Sequence, residues 1–137
     1  MKISEIADAT GIDVDTIRFY ERKGLIATPP RLANGYRAYG QSHLERLAFI
    51  RHCRALDMSL ADVRQLLDFM VLPKRDCEDV NQLVDGQLTR VKARLKSLRA
   101  LEKQLTLLRA RCDARHSTKE CGILHELVAA AHGEARA

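Results

Sequence analysis

No apolar run in this chain reaches the roughly 20 residues that a membrane span requires, and its amino terminus lacks the apolar core of a secretory signal. A cytoplasmic protein without a membrane partner is expected. Low-complexity tracts are missing too, and with 46% hydrophobic residues the sequence reads as a folded chain. There is no Cys-x-x-Cys motif, no glycine-rich phosphate loop and no triad signature, so an enzyme is not expected. In a reducing compartment the 4 cysteines read as thiols, ligands or redox centres before disulfides.

The net charge of +5 is unevenly spread. Residues 1–56 carry nine basic and six acidic groups, whereas 57–86 are net −4, 87–115 net +7 and 116–137 net −1. A basic amino-terminal third suits a phosphate backbone.

From Cys77 to Cys112 the chain is charged and leucine-bearing, with apolar residues at Val84, Leu88, Val91, Leu95, Leu98 and Leu105 and a break at Glu102. Alternating steps of four and three mark a coiled-coil seam, and Leu101 and Leu108 flank its later part as a straight helix drifts against a heptad. No proline interrupts it and Gly86 is its only weak helix former. One helix is expected over 79–111. So long a stripe has too little protein around it to bury it, which implies a homodimer. Asp76, Glu78, Asp79 and Asp85 crowd its start, and Arg109, Arg111 and Arg115 its end, so antiparallel pairing brings opposite charges together. The 35 residues separating Cys77 from Cys112 correspond to roughly 50 Å of helix, too long for one ion to bridge within a chain. Across the antiparallel dimer, Cys77 of one protomer can meet Cys112 of its partner.

At the amino terminus, a short amphipathic helix (Ile3, Ile6, Ala7) runs into a Thr10-Gly11 turn and a second helix over Val14–Lys23. Asp13 is its expected N-cap and Gly24 the residue beyond its end. Helix, glycine turn and helix within about twenty residues is the helix-turn-helix pattern. The expected outward side chains are Asp15, Thr16, Arg18, Phe19, Tyr20 and Arg22. Asn34-Gly35, flanked by Arg31, Tyr36, Arg37 and Tyr39, signals a basic aromatic hairpin, which beside such a unit is a wing. Scaffold helices follow over Gln41–Leu56 and Ser59–Met70, the latter started by Ser59-x-x-Asp62 and stopped by Pro73. Cys53 shares a stripe with Phe49 and Leu56 and reads as a core thiol. His43 and His52 read as surface or phosphate-proximal residues.

Three stretches together, Met1-Lys2-Ile3-Ser4-Glu5-Ile6-Ala7, Val14-x-Thr16-Ile17-Arg18-Phe19-Tyr20-Glu21-x-x-Gly24-Leu25-Ile26 and Asn34-Gly35-Tyr36-Arg37-x-Tyr39, resemble the MerR family of bacterial transcription regulators. The likeness extends over essentially the whole chain. It implies a mainly α protein with a winged helix-turn-helix DNA-binding domain and scaffold helices (1–72), an antiparallel coiled-coil dimerisation helix (73–111), and a metal-binding loop with a short carboxyl-terminal helix (112–137). It also implies a homodimer on an inverted repeat in promoter DNA, which distorts the promoter for RNA polymerase when effector binds. The matching DNA positions are Thr16, Arg18 and Tyr20 on the recognition helix and Arg37 and Tyr39 on the wing.

The same resemblance bears on the effector. The family's multidrug sensors append a large ligand domain, for which the residues after the helix are too few, and its iron-sulfur members need four closely spaced cysteines where this loop has Cys112 and Cys121. Metal ions remain, and thiolates select soft or borderline ones. A three-sulfur site is expected from Cys77 of one protomer with Cys112 and Cys121 of the other. Cysteine at position 77 resembles sensors of divalent ions, whereas copper(I) sensors carry serine there. Zinc sensors have a Cys-Cys pair where this chain has Cys112-Asp113, and mercury sensors share the cysteine spacings. Residues Phe49 to Met58 and Cys121-Gly122-Ile123-Leu124 most resemble the cadmium- and lead-responsive (CadR/PbrR-like) branch, with Hg2+ or Zn2+ as alternatives to Pb2+ or Cd2+. His116 reads as a solvated loop residue, and His125 and His132 are too few for a histidine-rich tail. Cys77 and Cys121 sit near helix starts and Cys112 among arginines, which favours thiolate at each. A thiol redox switch or a metal-buffering protein are the alternatives of another class.

Overall fold

A computed structural model describes residues 1–72, 77–112 and 118–136. The expected contributions of Pro73, Asp76, Asp113, Arg115 and His116 fall outside these residues. The chain divides into two compact units, Met1–Val84 and Asp85–Ala137.

The first unit holds α1 (Ile3–Thr10), α2 (Val14–Arg22), α3 (Gln41–Ala55), α4 (Leu60–Met70) and the start of α5 (Cys77–Arg109). Local signals explain the early boundaries. Gly11 ends α1 in the left-handed region at φ 72°, and Asp13 Oδ1 accepts the Thr16 N–H at 2.8 Å to open α2. The Thr16 hydroxyl first, and then its N–H, hold the Asp13 carboxyl below its ordinary value. Gly24, at φ 73°, follows the last turn of α2, as expected. Ser59 Oγ accepts the Asp62 N–H at 3.1 Å and opens α4.

Ile6, Ile17, Leu25, Ile26, Leu47, Ile50 and Val63 are all but sealed from solvent and pack α1 and α2 onto α3 and α4. Truncating any of them to alanine carries the cost of a core cavity, about 2–5 kcal/mol for an isoleucine or leucine. Cys53 lies in this core, as expected, and burial pushes its thiol up. Buried Thr10 is satisfied within the turn, its Oγ1 donating to the Ile6 carbonyl at 2.8 Å and accepting from the Ile12 N–H at 3.3 Å.

Three arginines of the scaffold helices reach back to carbonyls that the helix-turn-helix leaves open. Arg51 donates to Thr10 O at 2.6 Å and Arg46 Nε to Leu25 O at 2.6 Å, while Arg64 donates to Lys23 O. These guanidinium groups supply the donors that helix ends lack and fix the reading unit on its scaffold. Arg51 also explains Gly11 a second time, because a Cβ there would meet the guanidinium at 2.6 Å.

The wing differs from a regular hairpin. Its strands shrink to one antiparallel bridge, Arg31 to Arg37, closed by Leu32 N–H donating to Tyr36 O at 2.7 Å and Gly35 N–H to Leu32 O at 2.9 Å. Asn34 Oδ1 accepts the Tyr36 N–H at 3.1 Å and stiffens the tip. His43 also departs from expectation. It is buried, Nδ1 accepting from the Gly40 N–H at 3.0 Å while Nε2 donates to Ala27 O at 3.0 Å. It caps α3 and is not a surface residue. His52 is exposed.

In the second unit, α5 continues to Arg109, a turn of 3-10 helix covers Thr118–Glu120, and α6 spans Gly122–Arg136. The long helix starts and ends two residues before the range expected from its leucines. Helix α6 takes up 15 of the residues after the loop.

Candidate functional site: a nucleic-acid interface and a thiol pair

Helix α2 points two faces in opposite directions. Ile17 and Tyr20, three residues apart, are buried, while Arg18 is exposed and Thr16 half-buried. Arg18 joins Ile3, Arg31, Gly35, Tyr36 and Arg37 around a concavity of about 310 Å³. A second concavity, about 480 Å³, is lined by Arg18, Glu21, Arg22, Thr28 and Arg37. Arg18 and Arg37 border both, so recognition helix and wing form one basic, grooved face. Tyr36 is 58% exposed at the wing tip, and Lys2 Nζ lies 5.2 Å from its ring centroid. The sequence marks Tyr36 as a wing residue but not its pairing with Lys2, which the fold alone brings about.

Two of the expected DNA contacts are placed otherwise. Tyr20 is 8% exposed and Tyr39 2%. Tyr20 falls on the Ile17 stripe at helical spacing, so its ring packs inward and not outward. Tyr39 has its N–H paired with Met1 O at 2.8 Å, its ring edge-on to His43 at 5.4 Å, and its hydroxyl donating to Glu21 Oε2 at 3.2 Å. Burial, more than any neighbour, pushes its phenol up. Both tyrosines are packed behind the basic face that Arg18 and Arg37 border.

Arg37 is positioned differently again. Its guanidinium donates to Glu21 Oε2 at 3.0 Å, and the carboxylate's side chain is only 7% exposed. The wing is thereby tied to the recognition helix.

In the second unit, the structure brings two cysteines together. Cys121 immediately precedes α6, and its sulfur lies below the ordinary thiol value because the Leu124 N–H donates to it. Burial opposes this, and the Ile123 N–H and the Cys112 thiol add to it. Thiolate at a helix start is stabilised by the same open N–H groups. Cys112 is held at the end of α5, its N–H donating to Arg109 O at 3.3 Å and its carbonyl accepting from the Arg109 guanidinium. His125 fixes the turn before α6 by pairing with Lys119 O at 2.8 Å, a structural use of this side chain.

Gly122 sets the approach of the two segments. A Cβ at this position would lie 2.6 Å from Arg111 O and 3.3 Å from Arg111 Cβ. Any side chain forces α6 away from Arg111, and Cys121 with it. Gly122→Ala is expected to weaken metal binding about 10–100-fold, the scale for disturbing the support of a ligand. Thiolate-to-metal absorption titrated against a competing chelator checks this, and wild-type affinity in the variant contradicts it.

Cys77 is the first residue of α5 and exposed, and none of the four cysteines is in a disulfide. Among the described residues of one chain, no three His, Cys, Asp or Glu side chains converge to hold a metal ion. The two neighbouring sulfurs are a donor pair whose chemistry fits soft or borderline cations.

Comparisons with known proteins agree with this architecture. Residues 1–70 match the family model described as MerR HTH family regulatory protein, and 44–108 the model described as MerR, DNA binding. A ZntR homolog of Haemophilus influenzae, an HTH-type transcriptional regulator, is 40% identical over 80% of this chain and 81% of its own. The transcription regulator PbrR691 of Ralstonia metallidurans CH34, solved in complex with lead(II), is 46% identical with a TM-score of 0.79, over 93% of this chain and 98% of that one. The regulator MerR of Bacillus megaterium MB1, solved with mercury(II), is 29% identical with a TM-score of 0.68, over 93% and 99% of the respective chains. This chain therefore belongs to the MerR family of helix-turn-helix, DNA-binding transcription regulators, which are not enzymes, and within it resembles the PbrR-like branch.

Proposed function

We propose that this chain is a metal-responsive regulator that binds an inverted repeat in promoter DNA as a homodimer and activates heavy-metal resistance genes on binding Pb2+ or Cd2+. The observation that carries the metal reading is the Cys112–Cys121 contact at the start of α6, with the Cys121 thiol lowered by backbone donors. Two sulfurs leave open positions on a divalent ion that takes three or four ligands, as zinc does. Cys77 of the partner protomer is the third ligand in this reading. Support for the dimer comes from α5, whose Val84, Leu88, Val91, Leu95, Leu98 and Leu105 are 41–57% exposed in the single chain. A 33-residue helix with an open apolar seam calls for a partner of the same kind. The lead(II) complex of a relative at 46% identity supports lead over mercury, whose solved complex is the more distant one. Hg2+ and Zn2+ are the alternative effectors.

The metal acts by favouring one of two dimer geometries, and only that difference in free energy does work on the DNA. With both geometries holding the operator comparably, lead or cadmium changes transcription by RNA polymerase far more than it changes occupancy. Titration of the reduced dimer with Pb2+, Cd2+, Hg2+ and Zn2+, following thiolate-to-metal absorption and operator-dependent transcription together, tests this. Activation by lead or cadmium at unchanged footprint affinity is expected. Release of the protein from DNA by metal contradicts it.

The contact between Cys112 and Cys121 also favours one reading of another class, a thiol redox switch. A peroxide would convert both thiols to one disulfide and be reduced to water. Transcription that responds to peroxide in a chelator-treated sample, and not to metal, identifies that alternative.

A further inference from the structure

The carboxylate of Glu21 is nearly sealed from solvent, yet it sits where the recognition helix meets the wing, beside the grooves that Arg18 and Arg37 border. Its Oε2 accepts two hydrogen bonds, from Arg37 at 3.0 Å and from the Tyr39 hydroxyl at 3.2 Å. The arginine side chain is 33% exposed and borders both grooves, so pairing with the carboxylate does not seal it from solvent.

A negative charge here is an odd choice for a surface that approaches phosphates. Removing it would raise attraction to any DNA, since each neutralised phosphate contributes affinity regardless of sequence. Its cost is offset by what it holds in place. A charge-assisted pair between Arg37 and Glu21 fixes the wing's distance from α2 by a contact spanning 16 residues of chain, and the Tyr39 hydroxyl adds a second tether from the wing's far end.

We propose that Glu21 is a positioning residue that keeps Arg37 electrostatically satisfied inside the protein, so that the wing is placed on the DNA without contributing a full phosphate contact. Arg37 then directs the wing, and the exposed cations of the same face, Arg18 and Arg31 among them, carry the phosphate and base contacts. Nonspecific affinity is thereby held down, while the geometry that reads the operator is kept. This inference rests on the wing lying against DNA, which is part of the reading above.

The test compares salt dependence in a two-by-two set: the wild-type dimer, Glu21→Gln, Arg37→Ala and the double variant, each on operator and on random duplex. Glutamine keeps an acceptor for the Tyr39 hydroxyl while removing the charge, and thermal unfolding of each dimer identifies any variant that has lost its fold. In the wild-type background, Arg37→Ala is expected to leave the slope of log K against log salt nearly unchanged. Once Glu21 is glutamine, Arg37 becomes a phosphate contact, so Glu21→Gln steepens the slope by about 0.9 and Arg37→Ala then reverses it. The same variant binds random duplex more tightly and shows a smaller operator-to-random ratio. A loss of about 0.9 in slope from Arg37→Ala in both backgrounds overturns the proposal, because Arg37 would then be a full phosphate contact despite its carboxylate. If Glu21→Gln and Arg37→Ala leave slope, affinity and ratio unchanged on both duplexes, the wing itself does not lie on DNA, and the proposal falls with that reading.

Discussion

Replacing Cys112 or Cys121 with serine is expected to remove high-affinity lead and cadmium binding, whereas Cys53→Ser retains it. Serine keeps the shape of the side chain but replaces a soft sulfur by a hard hydroxyl that stays protonated at neutral pH. The loss should exceed the roughly 10–100-fold that outer-shell changes cost, because a ligand itself is taken away. Cys121 is the more sensitive of the two by geometry. Its sulfur meets the N–H groups of Leu124 and Ile123 as well as Cys112, so it organises the start of α6 even before metal arrives. Cys53 provides the control, since it lies at 5% exposure in the core of the first unit and burial keeps it a thiol. Isothermal or absorption titration against a chelator measures all three. Tight binding by Cys112→Ser would remove that residue from the site, and loss of binding in a folded Cys53→Ser dimer would show that the ligand set is misassigned.

Arg18→Ala should weaken operator binding by about 1–3 kcal/mol and reduce the ratio of operator to random-DNA affinity. The argument is positional. Arg18 is exposed between the buried residues Ile17 and Tyr20 and borders both grooves of the basic face. Arg37 borders them too, but its guanidinium is already engaged by Glu21, so the two arginines should behave differently in the same assay. Competition of operator against random duplex at fixed salt measures the ratio. An unchanged ratio for Arg18→Ala would falsify its base-reading role.

How much of this was legible in the sequence depends on the range of the interaction. Asp13, Gly24 and Ser59 announce helix ends through bonds made within three or four residues, and each sits where its local signal puts it. Asp57 does not. It adopts φ 65° after α3, a conformation for which glycine or asparagine is the usual signal, and no such signal is present in the sequence. Tyr20, Tyr39 and His43 read as surface groups because an aromatic or imidazole group near a basic motif invites that reading, whereas the fold buries all three. The spacing from Ile17 to Tyr20 held the clue for the first. For the other two, the covering groups are distant in sequence: Met1 for Tyr39, and Ala27 for His43. Arg46, Arg51 and Arg64 span 21 to 41 residues to reach the carbonyls of the reading unit, and no local pattern encodes that.

The metal site divides in the same way. Cysteines bounding a short loop can be expected to approach, and Cys112 and Cys121 do. The reason for their closeness, Gly122 against the Arg111 backbone, is a tertiary fit without a sequence signature. Assignment of Cys77 to the same site rests on α5, whose 33 residues span about 50 Å. In the proposed reading the partner protomer supplies it.

That claim is tested most directly by a mixed dimer in which one protomer carries Cys77→Ser and the other both Cys112→Ser and Cys121→Ser. If each site takes Cys77 from one protomer and the loop cysteines from its partner, this dimer contains one site lacking all three sulfurs and one that is complete. The account predicts tight binding of one Pb2+ or Cd2+ per mixed dimer with wild-type absorption, whereas neither parent homodimer binds tightly. A correctly folded mixed dimer that binds no ion tightly contradicts the shared site.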